Sequence, residues 1–323
     1  MSDVTLDSYA RGIYAIDTDY VRPRLDASHL VVRNGHAAFV DCGTNHSVPY
    51  LLAALKALEV APEAVDYLFL THIHLDHAGG AGRLMEALPH ATCVVHPKGA
   101  PHLSDTGQLE AGTRATYGNQ VYDTLYGELV PIPAERIRSV EDGETIRLDD
   151  SPFRFLHTPG HALHHVAIHD ETAKSVFAGD IFGIAYRVFD NPAGEPFIFP
   201  ATTPTQFDPD QMHASIDRIT ALSPRAVFLT HYSRVTDIER LAADLHACVD
   251  RYVEIAREHE NDEDARNRIR HALHDYLAGR LEEHGTQIEA ETRETWLEMD
   301  MNLNAAGLLA WRERLARQRE RAQ

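Results

Sequence analysis

The sequence predicts an α/β chain that ends in a helical extension. Three observations carry that prediction. Short apolar runs of strand length alternate with amphipathic segments through residue 236. An Asn-Gly pair separates two strand-like runs, HLVVR and HAAFVD. From Asp237 onward only helical spacing remains. The expected division is 1–236, a mixed α/β domain, and 237–323, a helical domain serving as a lid or an oligomerisation surface.

The elements follow in order. Gly12–Asp17 reads as a strand. His29–Arg33 and His36–Asp41 flank Asn34-Gly35, a pair that favours a two-residue hairpin because both residues accept positive φ. Leu51, Leu52, Leu55 and Leu58 have helical spacing within Val48–Leu58. YLFLT (67–71) is an apolar run expected to be a strand buried on both faces. Ala81–Leu88 reads as a helix and Thr92–His96 as a strand. Residues 100–128 form an insertion with weak helical periodicity and three tyrosines, Tyr117, Tyr122 and Tyr126. Strands resume at Thr145–Leu148, Phe153–His157, His165–His169 and Ser175–Ala178. A loop rich in Phe and Pro runs from Ile181 to Pro209, then a helix to Leu222 and a strand at Ala226–Thr230. In the tail, one helix carries Ile238, Leu241, Leu245, Val249, Tyr252 and Val253. The next carries Ile269, Leu273, Tyr276, Leu277 and Leu281. Two more are expected from Trp296 to Leu315, and the acidic EHENDEDARNR (258–268) breaks the pattern between helices.

Bulk properties narrow the function. The formal charge of −19 repels phosphate backbones, so nucleic acid is not an expected partner. The N-terminal MSDVTLDSYARGIYAID has neither a basic region nor an apolar core, and no apolar run approaches the roughly 18 residues of a membrane span. Cys42, Cys93 and Cys248 are odd in number and widely spaced, which fits a reducing compartment. The expectation is a cytoplasmic protein acting on a small molecule, with a homodimer formed through the helical tail.

The chemistry concentrates in THIHLDHAGG (71–80). His72 and His74 alternate by two and can point the same way from an extended segment. Asp76 and His77 lie in the turn and can point elsewhere, so one stretch can feed two neighbouring metals. Gly79 and Gly80 are expected to turn the chain tightly into the next helix. Further ligands should then follow other short strands. His161 follows a strand in FRFLHTPGH, Asp180 follows SVFAG, and His231 follows AVFLT. Seven N/O donors suit two divalent metals, zinc foremost, with iron or manganese as alternatives.

The set THIHLDH, TPGH, AGD and LTH, in that order, resembles the metallo-β-lactamase fold superfamily over about residues 12–235. The resemblance implies a four-layer αββα sandwich. It implies that His72, His74 and His161 bind one metal, that Asp76, His77 and His231 bind the second, and that Asp180 bridges them. Asp41, in FVDCGTN, matches the family's buried acid that orients ligands. Cys42 stands where the family usually has Thr or Ser and reads as structural. His164 and His165 read as supporting or core residues, as do His157 and His169. A metal-bridging hydroxide would attack an acyl carbon, Asp76 would handle the proton, and Tyr232 is a candidate donor to the substrate carbonyl.

Branch features favour hydrolysis of an ester, lactone or thioester, the glyoxalase II and lactonase side of the family. A Cys ligand at the Asp180 position, as in the first two β-lactamase subclasses, is missing. Lactonases of this pattern usually carry a tyrosine three residues after the bridging Asp. Here that position is Gly183, and the nearest tyrosine is Tyr186. A phosphodiester or organophosphate hydrolase and a mono-iron persulfide dioxygenase are the alternatives, and a degenerate non-enzyme scaffold is disfavoured because every ligand position is filled. Ile181, Phe182, Ile184, Phe189, Phe197, Ile198 and Phe199 line an apolar pocket or simply pack their loop. Met299, Met301 and Trp311 are read as core residues before substrate contacts.

Overall fold

The computed structural model describes residues 4–202, 205–260 and 262–322. The first three residues, part of the Phe- and Pro-rich loop at 203–204, Asn261 in the acidic break and Gln323 therefore lie outside the described residues. Leu6–Tyr9 (β1), Ile13–Asp17 (β2), Ala27–Arg33 (β3), His36–Val40 (β4), Val65–Phe69 (β5), Thr92–Val95 (β6) and Ile137–Ser139 (β7) form one sheet in that order. Thr145–Leu148 (β8), Ser151–His157 (β9), Val166–Asp170 (β10), Ser175–Gly179 (β11), Ala226–Leu229 (β12) and Ser233–Val235 (β13) form a second, also in sequence order. Strands β4 to β7 run parallel, as do β11 and β12; the other neighbours are antiparallel.

The chain forms two compact units. The first comprises residues 1–157, 164–179 and 224–236; the second comprises 158–163, 180–223 and 237–323. Both sheets belong to the first unit, with helices Val48–Ala57 (α1), Leu75–Ala78 (α2), Ala81–Ala87 (α3), Ala100–Ser104 (α4), Gly107–Tyr117 (α5) and Asn119–Leu125 (α6). The second unit holds Pro209–Thr220 (α7), Ile238–Glu258 (α8), Ala265–His284 (α9) and Ala290–Ala322 (α10). The fold class is the expected one, mixed α/β with two sheets and a helical C-terminal region.

Period-two alternation builds the layers of the first unit. On β4, Ala37 and Phe39 face a cluster with Leu51 and Leu55 of α1 and Leu84 and Met85 of α3. Their neighbours Ala38 and Val40 face the opposite way, into a second cluster with Phe153, Phe155, Phe177 and Phe228 of the other sheet. Phe69 of β5 sits at the centre of that inter-sheet layer, 5.6 Å from the Phe153 ring and 5.1 Å from that of Phe155. The hairpin between β3 and β4 closes as its sequence requires, with φ of +48° at Asn34 and +85° at Gly35.

The structure corrects the sequence reading in several places. Strands β1, β7 and β13 were not expected; LDSY, IRS and SRV are short and carry no apolar run. The insertion 100–128 resolves into three short helices, α4 to α6. The last two expected helices are one, α10, of 33 residues. Asp300 and Asn304 lie on the buried face of this helix. Asp300 accepts a hydrogen bond from the Tyr186 hydroxyl at 3.1 Å, and Asn304 Oδ1 accepts from the Thr202 amide at 2.7 Å. Polar residues interrupt the apolar pattern there because they have partners, and the helix continues. Among the described residues no helix is long and apolar enough to cross a membrane.

Removing the central ring of the inter-sheet layer tests this packing. Phe69→Ala should cost about 3–5 kcal/mol of unfolding free energy, read as a lower urea midpoint with an unchanged slope.

Candidate metal centre

Three strands of the first unit deliver chemistry at their C-terminal ends. β4 ends into Asp41, β5 ends into Thr71–His77, and β12 ends into Thr230 and His231. The ends are tied together through the backbone. The Asp41 amide donates to the Phe69 carbonyl at 2.9 Å, the Val166 amide to the Thr71 carbonyl at 2.7 Å, and the Ala27 amide to the Thr230 carbonyl at 2.8 Å. The last two of these bonds join one sheet to the other.

Asp41 is the hub. Its side chain is almost fully buried, and four donors converge on it. Oδ1 accepts from the Thr71 amide at 2.8 Å. Oδ2 accepts from the Thr71 hydroxyl at 2.7 Å, from the Thr230 hydroxyl at 3.1 Å and from His77 Nδ1 at 2.8 Å. A carboxylate can only accept, so His77 carries its proton on Nδ1, and Nε2 is the nitrogen that could bind a metal. His231 is set the same way: its Nδ1 donates to the Leu25 carbonyl at 3.0 Å.

Both Nε2 atoms then face one carboxylate. Asp76 Oδ2 lies 3.8 Å from His77 Nε2 and 3.6 Å from His231 Nε2. The ligand atoms of these three residues all fall within 4.8 Å of one another. Two imidazoles with fixed tautomers and one carboxylate suit a borderline divalent cation, so the residues present fit a metal. His72 and His74 sit in the same unit, with His72 Nε2 2.8 Å from His74 Nδ1. His72 is fully buried and its ring packs 5.0 Å from that of His165.

His161 and Asp180 belong to the second unit. There His161 Nδ1 donates to the Ala201 carbonyl at 2.9 Å, and Nε2 lies 3.3 Å from Asp180 Oδ2. His161 thus shows the same preparation as His77 and His231: one ring nitrogen held by an acceptor, the other turned to a carboxylate.

Other expected residues take definite places. Tyr232 does not present its hydroxyl as a donor to substrate. It is buried, its ring packs with Ala15 and Ala27, and its hydroxyl donates to Asp7 Oδ2 at 3.4 Å. Cys42 is buried, its thiol donates to the His77 carbonyl at 3.2 Å, and burial holds the thiol far above its ordinary pKa. It is a structural residue. Gly79 and Gly80 have helical φ of −61° and −85°, so they do not supply a left-handed turn. A side chain on Gly80 would instead come within 2.5 Å of the Thr44 carbonyl oxygen, so close backbone approach is the requirement there. At Gly179 the φ is +49°, and a Cβ would lie 2.7 Å from both His165 Nε2 and Thr71 Oγ1. The apolar residues after Asp180 are buried inside the second unit, where Tyr186 and Phe189 pack against Trp296 of α10. Met301 and Trp311 are core residues of the same helix, with Trp311 against Phe207.

One acid went unread. Asp26 is fully buried; burial raises its carboxyl to about 7, against the lowering pull of His231 and His77. Thr18 Oγ1 donates to its Oδ2 at 3.1 Å. A single Asp ahead of a strand, with no spaced partner in the sequence, gives no signal that could have found it.

Fold and donor set together define a metal-binding α/β sandwich protein. The family model for the metallo-beta-lactamase superfamily matches residues 21–232, and the chain belongs to that superfamily, whose members are mostly hydrolases. It is 25% identical over 225 residues to a metallo-beta-lactamase fold-containing protein of Sulfurisphaera tokodaii, across 68% of this chain and 78% of that protein. It is 28% identical over 194 residues to a hydroxyacylglutathione hydrolase of Aeromonas hydrophila, across 60% of this chain. The match spans only 55% of that relative's length. A metallo-beta-lactamase family protein from Thermus thermophilus superposes with a TM-score of 0.64 at 19% identity, over 94% of each chain, a likeness of fold.

The hub makes a direct prediction. Asp41→Asn keeps the shape but leaves one acceptor oxygen for the four donors that two now serve, so the hold on the His77 tautomer is weakened. Metal affinity should fall about 10- to 100-fold, measured by competition with a chromogenic chelator.

Proposed function

We propose that the protein is a metal-dependent hydrolase of ester-type bonds, with a thioester as its substrate class. The observation that carries the reading is the Asp76, His77 and His231 group, with Nδ1 of both histidines held by acceptors and Nε2 of both turned to one carboxylate. On this reading His72, His74 and His161 serve one zinc ion, Asp76, His77 and His231 serve a second, and Asp180 serves both, as the sequence motifs assign them. The thioester preference is supported by relatives named hydroxyacylglutathione hydrolase, at 28% and 27% identity.

Metal bound by these residues supplies Lewis acidity, which acidifies water toward neutral pH and polarises a carbonyl. The chain's own residues do the rest. The Asp41 carboxylate and the Leu25 carbonyl keep His77 and His231 in one tautomer and one orientation, so no reorganisation is needed during turnover. Asp76 is the only partly exposed member of its group, its side chain 23% accessible, and it is placed to accept the proton of an attacking water. Tyr232, engaged with Asp7, has no part in the step.

Metal analysis of the purified protein, followed by a substrate panel, tests the reading. The expected result is zinc, turnover of an S-hydroxyacyl glutathione thioester above that of lactones, aryl esters and phosphodiesters, and a loss of at least about 100-fold in kcat for Asp76→Ala. Turnover of phosphodiesters alone would overturn the thioester assignment. One iron per chain, with oxygen consumed in the presence of a persulfide, would overturn hydrolysis itself.

A further inference from the structure

A second cluster of metal-ligating side chains lies wholly within the helical unit, on α7 and α8. His213 and Asp217 are spaced i, i+4 on α7, and His246 and Asp250 are spaced i, i+4 on α8. The two pairs are crossed. His213 Nε2 lies 3.1 Å from Asp250 Oδ1, and His246 Nε2 lies 3.0 Å from Asp217 Oδ1. Between them the two Nδ1 atoms face each other at 2.6 Å, with the rings nearly parallel at 13°.

This arrangement fixes the protons. A carboxylate can only accept, so each histidine donates Nε2–H to the aspartate of the opposite helix. Each Nδ1 then carries a lone pair, and the two lone pairs point at one another. At 2.6 Å they repel unless a positive charge lies between them. A divalent transition metal supplies that charge, and the two carboxylates offset it. Carboxylates on the outer nitrogens of ligating imidazoles are also what orient histidines around zinc.

We propose that His213 and His246 form a surface site for a divalent transition metal of the zinc class, bound through the two Nδ1 atoms and clasping α7 to α8. Metal–nitrogen bonds of 2.0–2.1 Å at a tetrahedral angle require the nitrogens to stand about 3.3 Å apart. The rings therefore tilt apart slightly on binding. Both are about a quarter exposed, and both aspartates are 71% exposed, so the rings can move and water can complete the coordination. The site shares no residue with the candidate metal centre, and its test does not depend on what that centre holds.

The experiment is equilibrium dialysis of metal-stripped protein against Zn2+ alone. The wild type should bind one equivalent more than His213→Gln, whatever the count at the other centre. Asp250→Asn keeps both imidazoles and should weaken this one equivalent about 10- to 100-fold while leaving the others unchanged. A purely structural role for the cluster would not produce that selective shift, and the milder variant covers the case in which His213→Gln fails to fold. Equal zinc stoichiometry and affinity in the wild type and both variants would overturn the proposal.

Discussion

Four hydrogen bonds meet on the Asp41 carboxylate, and the candidate centre depends on them. A buried carboxylate without partners costs several kcal/mol or takes up a proton. Here the end of β5 supplies two donors through Thr71, α2 supplies His77, and the end of β12 supplies Thr230. Those three segments come from both sheets. The same bonds that make the charge tolerable therefore register one sheet against the other and set the direction of the His77 ring. Asp41 holds a φ of +56°, unusual for a residue other than glycine, and the convergent donors are what hold it there.

Around this hub the apolar layers leave little slack. Phe69 closes the inter-sheet core two residues before the histidine-rich loop begins at Thr71, and β11 and β12 are buried along their whole length. The ligand-bearing turns therefore start from strands that cannot slip by one residue without turning their buried side chains outward. Gly179 and Gly80 show how tightly these turns are set, since a methyl group at either would collide with Thr71 and His165 or with the Thr44 backbone.

Much of this was legible in the sequence. The hairpin at Asn34-Gly35, the strands that end at the ligands and the histidine-rich turn all follow from period, turn chemistry and donor spacing. The family motifs then placed Asp41 among the orienting residues. What the sequence could not show falls into two kinds. Three short strands, LDSY, IRS and SRV, carry no apolar run. Side chains whose meaning comes from a distant partner carry no local signal. Tyr232 is adjacent to a ligand in sequence but spends its hydroxyl on Asp7, 225 residues away. Asp26 is buried only by the fold, and Asp300 and Asn304 find their partners in Tyr186 and Thr202, far away in sequence.

On the proposed reading the chain holds its metal with imidazole and carboxylate alone, aimed by Asp41, while the nearby Cys42 stays out of the coordination sphere. X-ray absorption at the zinc edge of the zinc-loaded protein reads those ligands. The expected spectrum is a single shell of nitrogen and oxygen at about 2.0–2.1 Å with an imidazole scattering pattern. A sulfur shell at about 2.3 Å, or a spectrum unchanged from aqueous zinc, would contradict it.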